Sequence, residues 1–209
     1  MIRTIIFDLG GVIITLDQTE SIKRFKALGV KNIEDYLDCY TQVGIFGDLE
    51  EGKITAEDFR RELSVICGHE LTFEECKHAW LGYRADLPER NLNALRELRK
   101  KGYRLVLLSN TNPYMMSWAE SNEFDGHGNS IHDYFDACYM SYKVGVMKPD
   151  EQFFHKVLQG EKALPEECLF LDDGTRNVAV ASELGIRTYL AKNGEDWTHD
   201  LFEILEKEA

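Results

Sequence analysis

Two kinds of hydrophobic pattern divide the chain into three parts. Short runs of consecutive apolar residues, typical of buried strands, occur at residues 3–8 and at several points after residue 88. After residue 88 these runs alternate with amphipathic segments of helical period. Between residues 17 and 87 the period is helical, and no strand pattern is present. The sequence therefore predicts an α/β fold, with a parallel sheet covered by helices on both faces and a helical insertion after the first strand.

Local signals place the boundaries of several elements. We expect about four helices in the insertion, with helix starts at Asn32-x-x-Asp35, Thr55-x-x-Asp58 and Thr72-x-x-Glu75. A helix is predicted from Pro88 to Gly102, and another after Asn112 that continues to about Glu123. The strands predicted from apolar runs are residues 3–8, 103–108, 137–140, 169–171 and 187–190.

Composition excludes several classes of partner. The chain has 209 residues, a formal net charge of −13 and a pI near 4.9, so a duplex nucleic acid or an anionic membrane surface is not expected as a partner. A small anionic substrate remains compatible with this charge, because the local charge of a cleft can oppose the global balance. Hydrophobic residues make up 44% of the chain, which is enough for a packed core.

The cysteines and the apolar runs indicate a cytoplasmic location. The N-terminal apolar run is interrupted by Asp8, which is atypical of a signal peptide, and no stretch reaches the length of a membrane span. The number of cysteines is odd and none forms a C-x-x-C pair, so neither a disulfide framework nor a zinc site is expected. The five cysteines are Cys39, Cys67, Cys76, Cys138 and Cys168.

Reactive side chains follow several of the predicted strands. Because the carboxyl ends of parallel strands lie along one edge of a sheet, these side chains are expected to face one cleft. A carboxylate can attack phosphorus as a nucleophile, and a divalent cation removes the repulsion between the two anions. Magnesium prefers one or two carboxylates with oxygens of water and substrate. The residues concerned are Asp8, Ser109, Asn110, Lys148, Asp172 and Asp173.

These residues stand in motifs that resemble the haloacid dehalogenase superfamily of phosphohydrolases. The motifs occur in family order within residues 1–190. The detailed sequence is similar to a bacterial sugar-phosphatase branch that includes α-glucose-1-phosphate phosphatases and the phosphatase domain of soluble epoxide hydrolases. The four motifs are Asp8-Leu9-Gly10-Gly11-Val12, Leu108-Ser109-Asn110, Lys148-Pro149-Asp150 and Phe170-Leu171-Asp172-Asp173, with Asn177 downstream.

The resemblance implies a Rossmann-like core of residues 1–16 and 88–209 and a small helical cap of residues 17–87. It implies Mg²⁺-dependent hydrolysis of a small phosphorylated metabolite through an aspartyl-phosphate. The implied roles are the nucleophile and metal ligand for Asp8, phosphate binding for Ser109 and Asn110, and charge balance and phosphate binding for Lys148. Further implied roles are metal ligation by Asp173 and the backbone carbonyl of Gly10, and support of the metal site by Asp172.

One position departs from the family pattern. The usual phosphatase of this superfamily has an acid two residues after the nucleophile, which protonates the leaving oxygen, and this chain has Gly10 there. Three explanations are open. In the first, the protein is a weak phosphatase or binds phosphate esters without hydrolysing them. In the second, another acid substitutes, with Asp17 nearest in sequence and Glu50 and Glu51 as further candidates. In the third, the substrate has a good leaving group. A sugar-1-phosphate, which leaves as a hemiacetal, agrees with the last explanation and with the branch resemblance.

Three other functions compete with the phosphatase. A 2-haloacid dehalogenase needs no cation, and the pair Asp172-Asp173 argues against it. A two-component receiver domain has its paired acids early in the chain, whereas here they come last. A phosphate-binding regulatory protein without hydrolysis would account for Gly10.

The substrate itself is not determined by these motifs, because the resemblance places specificity in the cap. Trp80, Tyr83 and Arg84 either face the substrate or, in the case of Trp80, pack in the core. Phe46 and the turn at residues 48–52 either cover the cleft or form a solvated turn. The oligomeric state is also left open.

Overall fold

A five-stranded parallel sheet forms the centre of the protein, with the strand order β5-β4-β1-β6-β7. The computed structural model describes residues 1–37 and 42–207, so Cys39 lies outside the described residues. The strands of this sheet and of a separate two-stranded ribbon, β2–β3, are β1 (Thr4–Phe7), β2 (Thr15–Leu16), β3 (Arg84–Asp86), β4 (Arg104–Ser109), β5 (Ala137–Met140), β6 (Cys168–Asp172) and β7 (Arg187–Leu190).

Helices cover both faces of the sheet, as predicted. Side chains alternate along β1, so Ile5 and Phe7 pack into one hydrophobic cluster while Ile6 packs into a second cluster on the opposite face. The α-helices are α1 (Gln18–Ala27), α2 (Ile45–Glu50), α3 (Ala56–Cys67), α4 (Phe73–Trp80), α5 (Glu89–Lys100), α6 (Pro113–Ala119), α7 (Ser141–Val144), α8 (Glu151–Glu161), α9 (Thr175–Glu183) and α10 (Thr198–Lys207).

Two of the three predicted helix starts in the insertion are confirmed. Thr55 and Thr72 form reciprocal capping boxes with Asp58 and Glu75, at the beginnings of α3 and α4. The third prediction is wrong. Residues Ile33–Asp35 form only a 3₁₀ turn, and Asn32 has a left-handed backbone with a φ of 52°. An N-cap residue needs an extended backbone to direct its oxygen at the helix, so Asn32 caps nothing.

The ribbon β2–β3 was not predicted. It forms where the chain enters and leaves the helical segment, and its strands are two and three residues long. Alternation cannot be recognised over so few residues, and long-range partners stabilise the pair. The backbone of Leu16, for example, exchanges two hydrogen bonds with the side chain of Asn193, at 2.9 and 2.8 Å. Helix α6 also ends earlier than predicted, at Ala119.

The helical segment, residues 17–87, packs against α6 beside the sheet. Phe46 and Phe59 lie in contact with Trp80, and Phe59 lies 5.6 Å from the ring of Tyr114 on α6. The Tyr114 hydroxyl also donates to the carbonyl of Ala56 at 2.6 Å. One hydrophobic cluster therefore continues from the segment into the core. Within the described residues, no helix is long and apolar enough to cross a membrane.

Candidate active site

The carboxyl ends of β1, β4 and β6 meet at one cavity of about 110 Å³. Asp8 follows β1, Ser109 ends β4, and Asp173 follows β6. Lys148 reaches the same cavity from the loop before α8. The structure thus brings together residues that are far apart in the chain, as the strand order of a parallel sheet requires. The predicted site residues that line the cavity are Asp8, Gly10, Ser109, Asn110, Lys148 and Asp173.

Asp8 is a buried carboxyl held in a fixed orientation. The backbone N–H of Leu9 donates to its Oδ1 at 2.7 Å, and its Oδ2 lies 2.9 Å from Lys148 Nζ. Burial raises the pKa of Asp8 to about 8, despite the opposing effect of the Lys148 ammonium, and the Asp172 and Asp173 carboxylates raise it further. The side chain therefore has a fixed orientation, and additional positive charge is needed for it to ionise fully at neutral pH.

Lys148 is a buried ammonium between two carboxylates. Its Nζ lies 2.6 Å from Asp172 Oδ2 as well as 2.9 Å from Asp8. Burial lowers the pKa of Lys148, but the attraction of Asp172 and Asp8 outweighs this effect and raises it. The amine is consequently protonated and lies beside Asp8, and its role in balancing charge stays a prediction.

The side chain of Asn110 positions Lys148. Its Nδ2 donates to the Lys148 carbonyl at 2.9 Å, and its Oδ1 accepts from the Lys148 N–H at 2.8 Å. Both ends of the amide are thus occupied. Both residues predicted to bind phosphate line the cavity; the Ser109 hydroxyl lies 3.4 Å from the Asn110 carbonyl, and one of the two N–H groups of the Asn110 amide is used by Lys148.

Asp172 lies outside the cavity lining and holds Lys148, which is part of that lining. It is fully buried, and its Oδ1 accepts from Gly174 N at 2.7 Å and from Asn177 Nδ2 at 2.8 Å, while its Oδ2 accepts from Lys148. Because both oxygens are used, Asp172 orients Lys148 and the turn after β6. This arrangement fits the supporting role implied by the sequence.

Asp173 lies against Gly11, and the glycine makes room for it. A Cβ atom at Gly11 would lie 2.2 Å from Asp173 Oδ2. Gly11 also has a φ of +76°, a conformation that glycine adopts without strain. Burial, and secondarily the charge of Asp172, raise the pKa of Asp173 to about 6. The glycine pair after β1 thus shapes the acidic site as well as the turn.

The acidic side chains fit a magnesium ion. Oxygen atoms of Asp8, Asp172 and Asp173 lie within 4.8 Å of one another. Asp8, Asp173 and Gly10 line the cavity, whereas Asp172 is fully buried and does not, so Asp8 and Asp173 are the carboxylates that would hold the cation. Two carboxylates with additional oxygens are a donor set that Mg²⁺ favours. Burial, and secondarily the repulsion between the neighbouring carboxylates, raises the pKa values of Asp8 and Asp173.

Substituting Gly11 with alanine is expected to weaken Mg²⁺ binding at least about ten-fold, because the new methyl group displaces Asp173. Gly68→Ala is the matched control. Gly68 has a φ of +78° but open space around its Cβ position, so it carries the same backbone strain of about 1 kcal/mol without the clash. Titration calorimetry with Mg²⁺ measures the difference, and equal affinities in the two variants would contradict the assignment of Asp173.

Magnesium binding is expected to tighten about ten-fold or more between pH 6 and pH 8. With pKa values of about 8 for Asp8 and about 6 for Asp173, these carboxyls hold protons at pH 6 that the cation must displace. Raising the pH removes these protons beforehand, so affinity increases in that direction. Calorimetry in two buffers of different ionisation enthalpy reports both the affinity and the proton release. An affinity independent of pH would contradict these pKa directions.

The position of the missing acid is occupied by an apolar side chain. A Cβ atom at Gly10 would lie 2.7 Å from Leu16 Cδ1, and Leu16 lines the cavity. The structure does not bring Asp17 into the cavity. Its Oδ1 accepts from Thr19 N at 2.8 Å as the N-cap of α1, and hydrogen bonds to Thr19 lower its pKa. Asp17 therefore lacks both the position and the proton that a substitute acid needs.

The helical segment contributes a further wall of the cavity. Sequence reasoning named Glu50 only as a secondary candidate, and it missed Gln42, Thr111 and Asn112. The polar run Asn110-Thr111-Asn112 after Ser109 is the sequence signal that could have identified Thr111 and Asn112. Trp80 is both buried and part of the lining, and Tyr83 lies beside it, whereas Arg84 stacks on Trp118 at 4.3 Å from its ring. The lining residues of the helical segment are Gln42, Glu50, Trp80 and Tyr83, and the chain from the end of β4 into α6 adds Thr111, Asn112 and Met115.

A family model for haloacid dehalogenase-like hydrolases matches residues 2–185. The chain belongs to this family. It is 44% identical to a D-ribitol-5-phosphate phosphatase of Bacteroides thetaiotaomicron over 205 residues, which cover 98% of this chain and 99% of that protein. The predicted enzyme class, phosphoric monoester hydrolase, is confirmed by the family match together with this relative.

Solved structures of this family share the fold closely. A predicted hydrolase of the family from Porphyromonas gingivalis superposes with a TM-score of 0.92 at 44% identity, over 98% of both chains. A family enzyme from Bacteroides thetaiotaomicron has a TM-score of 0.89 at 37% identity, over 96% of this chain and 99% of that one. That enzyme is an aspartate-to-alanine variant in complex with magnesium and inorganic phosphate. The prediction of Mg²⁺ as the cofactor is confirmed by such neighbours.

Proposed function

We propose that the protein hydrolyses the phosphate monoester of a sugar or sugar alcohol, through an aspartyl-phosphate on Asp8 and with Mg²⁺ held by Asp8 and Asp173. The observation that carries this proposal is the cavity in which Asp8, Asp173 and Lys148 meet Ser109. A nucleophile, cation ligands and a positive charge are thereby within reach of one phosphoryl group. The relative of known activity acts on such a phosphate ester, D-ribitol 5-phosphate.

Each residue has a part that follows from its contacts. When bound, the cation neutralises charge on the carboxylates and on the phosphate. Asp8 supplies the attacking oxygen, oriented by the N–H of Leu9. The Lys148 ammonium, held by Asn110 and Asp172, offsets the charge that develops on the phosphoryl oxygens. The Ser109 hydroxyl and the main chain of Asn110 hold the same oxygens.

The substrate enters beneath the helical segment, residues 17–87, which we propose acts as the cap. A buried donor on this side has no acceptor among the described residues, the Trp80 Nε1–H. Buried donors are normally paired, and Trp80 lines the cavity. A hydroxyl oxygen of a polyol chain would supply the missing acceptor, which favours a substrate with hydroxyl groups.

The relative's substrate, ribitol 5-phosphate, has a poor leaving group. Its hydrolysis releases a primary alcohol, which is a poorer leaving group than the hemiacetal released from a sugar-1-phosphate. A protein that acts on such an ester needs an acid to protonate the leaving oxygen. The earlier preference for a sugar-1-phosphate stays a prediction, and the similarity to the ribitol-5-phosphate phosphatase favours an open-chain polyol phosphate instead.

Substrate preference is tested by measuring phosphate release with Mg²⁺ from ribitol 5-phosphate, glucose 1-phosphate and glucose 6-phosphate. We expect kcat/KM for ribitol 5-phosphate to exceed both others by at least about ten-fold, because the hydroxyls of an open chain can reach the Trp80 donor. A preference for glucose 1-phosphate would restore the leaving-group explanation. Phosphate binding without turnover of any ester would favour the regulatory protein instead.

A further inference from the structure

We propose that Glu50 supplies the proton to the leaving oxygen, the task for which Gly10 has no side chain. The inference rests on the proposed function, because it assigns a further residue to the same hydrolysis. It makes Glu50, on α2 of the proposed cap, a catalytic residue that touches the bridging oxygen of the substrate.

The lining of the cavity restricts the choice of acid. Among the described lining residues, the carboxyl side chains are those of Asp8, Glu50 and Asp173. The two aspartates stand at the sheet edge as nucleophile and metal ligands, so Glu50 is the remaining carboxyl. It comes from the helical segment and not from the sheet, and thus approaches the substrate from a different element.

The surroundings of Glu50 favour its protonated form. The side chain belongs to a residue only 8% exposed, and among the described residues no Lys or Arg forms an ion pair with it. Its neighbours Asp48 and Glu51 both pair with Lys53 instead. Burial raises the pKa of Glu50 to about 7, against a smaller lowering by the Asn112 amide. A carboxyl with such a pKa can both give and take a proton at neutral pH.

The Asn112 amide provides the orientation. Its Oδ1 accepts from the N–H groups of Tyr114 and Met115, each at 3.1 Å, as the N-cap of α6. Because the oxygen is fixed by the helix start, the NH₂ group is fixed as well, and it faces the Glu50 carboxyl. Glu50 also stands at the last position of α2, where the helix dipole disfavours a carboxylate.

The two half-reactions balance with this assignment. In the first, Asp8 Oδ attacks phosphorus, the bond between phosphorus and the ester oxygen breaks, and that oxygen takes the Glu50 proton to leave as an alcohol. In the second, the Glu50 carboxylate takes a proton from water as the water oxygen bonds to phosphorus. The bond from phosphorus to Asp8 then breaks, which releases phosphate and returns Glu50 to its protonated form.

The experiment compares esters that differ in their need for a proton. Glu50→Gln keeps the shape of the protonated acid but cannot donate a proton as a carboxyl does. We expect kcat/KM to fall about 100-fold for an unsubstituted alkyl phosphate, and less than about three-fold for 4-nitrophenyl phosphate, whose leaving group needs no proton. Neither ester has hydroxyl groups, so a role in polyol binding cannot produce this split. Glu51→Gln, at an exposed neighbour paired with Lys53, is the matched control and retains both rates.

Other outcomes overturn the assignment. Equal losses on the two esters would make Glu50 a structural residue of the cleft, and unchanged rates on both would transfer the task to another group. Glu50→Ala, which removes the acid without adding an amide, must show the same split as Glu50→Gln. A failure of the proposed function would differ from a failure of the Glu50 assignment. In that case the wild type would lack Mg²⁺-dependent turnover of both esters, or Asp8→Asn would retain it.

Discussion

Replacing Asp8 with asparagine is expected to lower kcat/KM for every phosphate monoester by at least about 10³-fold. An amide oxygen is a poor nucleophile, and the substitution also removes a carboxylate from the proposed magnesium site. The loss is therefore independent of the leaving group, in contrast to the loss expected for Glu50→Gln. Phosphate release from 4-nitrophenyl phosphate and from ribitol 5-phosphate, each with Mg²⁺, measures it.

The variant is expected to fold at least as well as the wild type. Burial raises the pKa of Asp8 to about 8, so the ionised carboxyl is destabilising when no cation is present. Asp17→Asn is a suitable control, because asparagine can replace the N-cap of α1 and the residue lies outside the cavity lining. Retained activity in Asp8→Asn would show that the nucleophile is a different group, and lost activity in Asp17→Asn would reinstate Asp17 as an acid.

Replacing Lys148 with methionine is expected to destabilise the protein by about 3 kcal/mol at pH 7.5 and to lower kcat/KM by at least about 100-fold. The ammonium lies 2.9 Å from Asp8 and 2.6 Å from Asp172, whose side chains are 12% and 0% exposed, so solvent would screen the two carboxylates only weakly after its removal. The hydrolytic rate falls because the phosphoryl group loses a charge that is buried next to the nucleophile.

The stability difference has a definite dependence on pH. Without the ammonium the pKa of Asp8 rises further above about 8, so at higher pH the wild-type carboxyl ionises beside Lys148 while the variant's carboxyl keeps its proton or stays unpaired. The difference between variant and wild type is consequently smaller at pH 7 than at pH 9, as urea denaturation at the two values measures. Lys143→Met, at a half-exposed lysine paired with Glu120, is the control and is expected to cost less than about 1 kcal/mol. A cost for Lys148→Met that does not change with pH would contradict the electrostatic origin.

Much of the fold was predictable because it depends on local patterns. Consecutive apolar residues fill β1, β4 and β6 because both faces of the central strands are buried. The capping boxes of Thr55 and Thr72 could be recognised because a cap is formed within four residues. The ribbon β2–β3 was not predicted because its short strands pair residues distant in sequence, such as Thr15 and Asp86. The left-handed backbone of Asn32 was not predicted because the spacing of a capping box does not report backbone conformation.

The sequence by itself determined which chemistry the strand ends carry. Asp8, Ser109, Lys148 and the pair Asp172–Asp173 follow from motif order, since parallel strands bring their carboxyl ends to one edge. Only the tertiary structure decided how the remaining polar groups are used. It engages Asn110 with the backbone of Lys148, it places Leu16 beside Gly10, and it leaves Asp17 at a helix start. It also buries Glu50 in the cleft, where the loss of solvation raises its pKa to about 7. Burial and hydrogen-bond partners depend on packing between segments distant in the chain, and these quantities decide which carboxyl ionises and which keeps its proton.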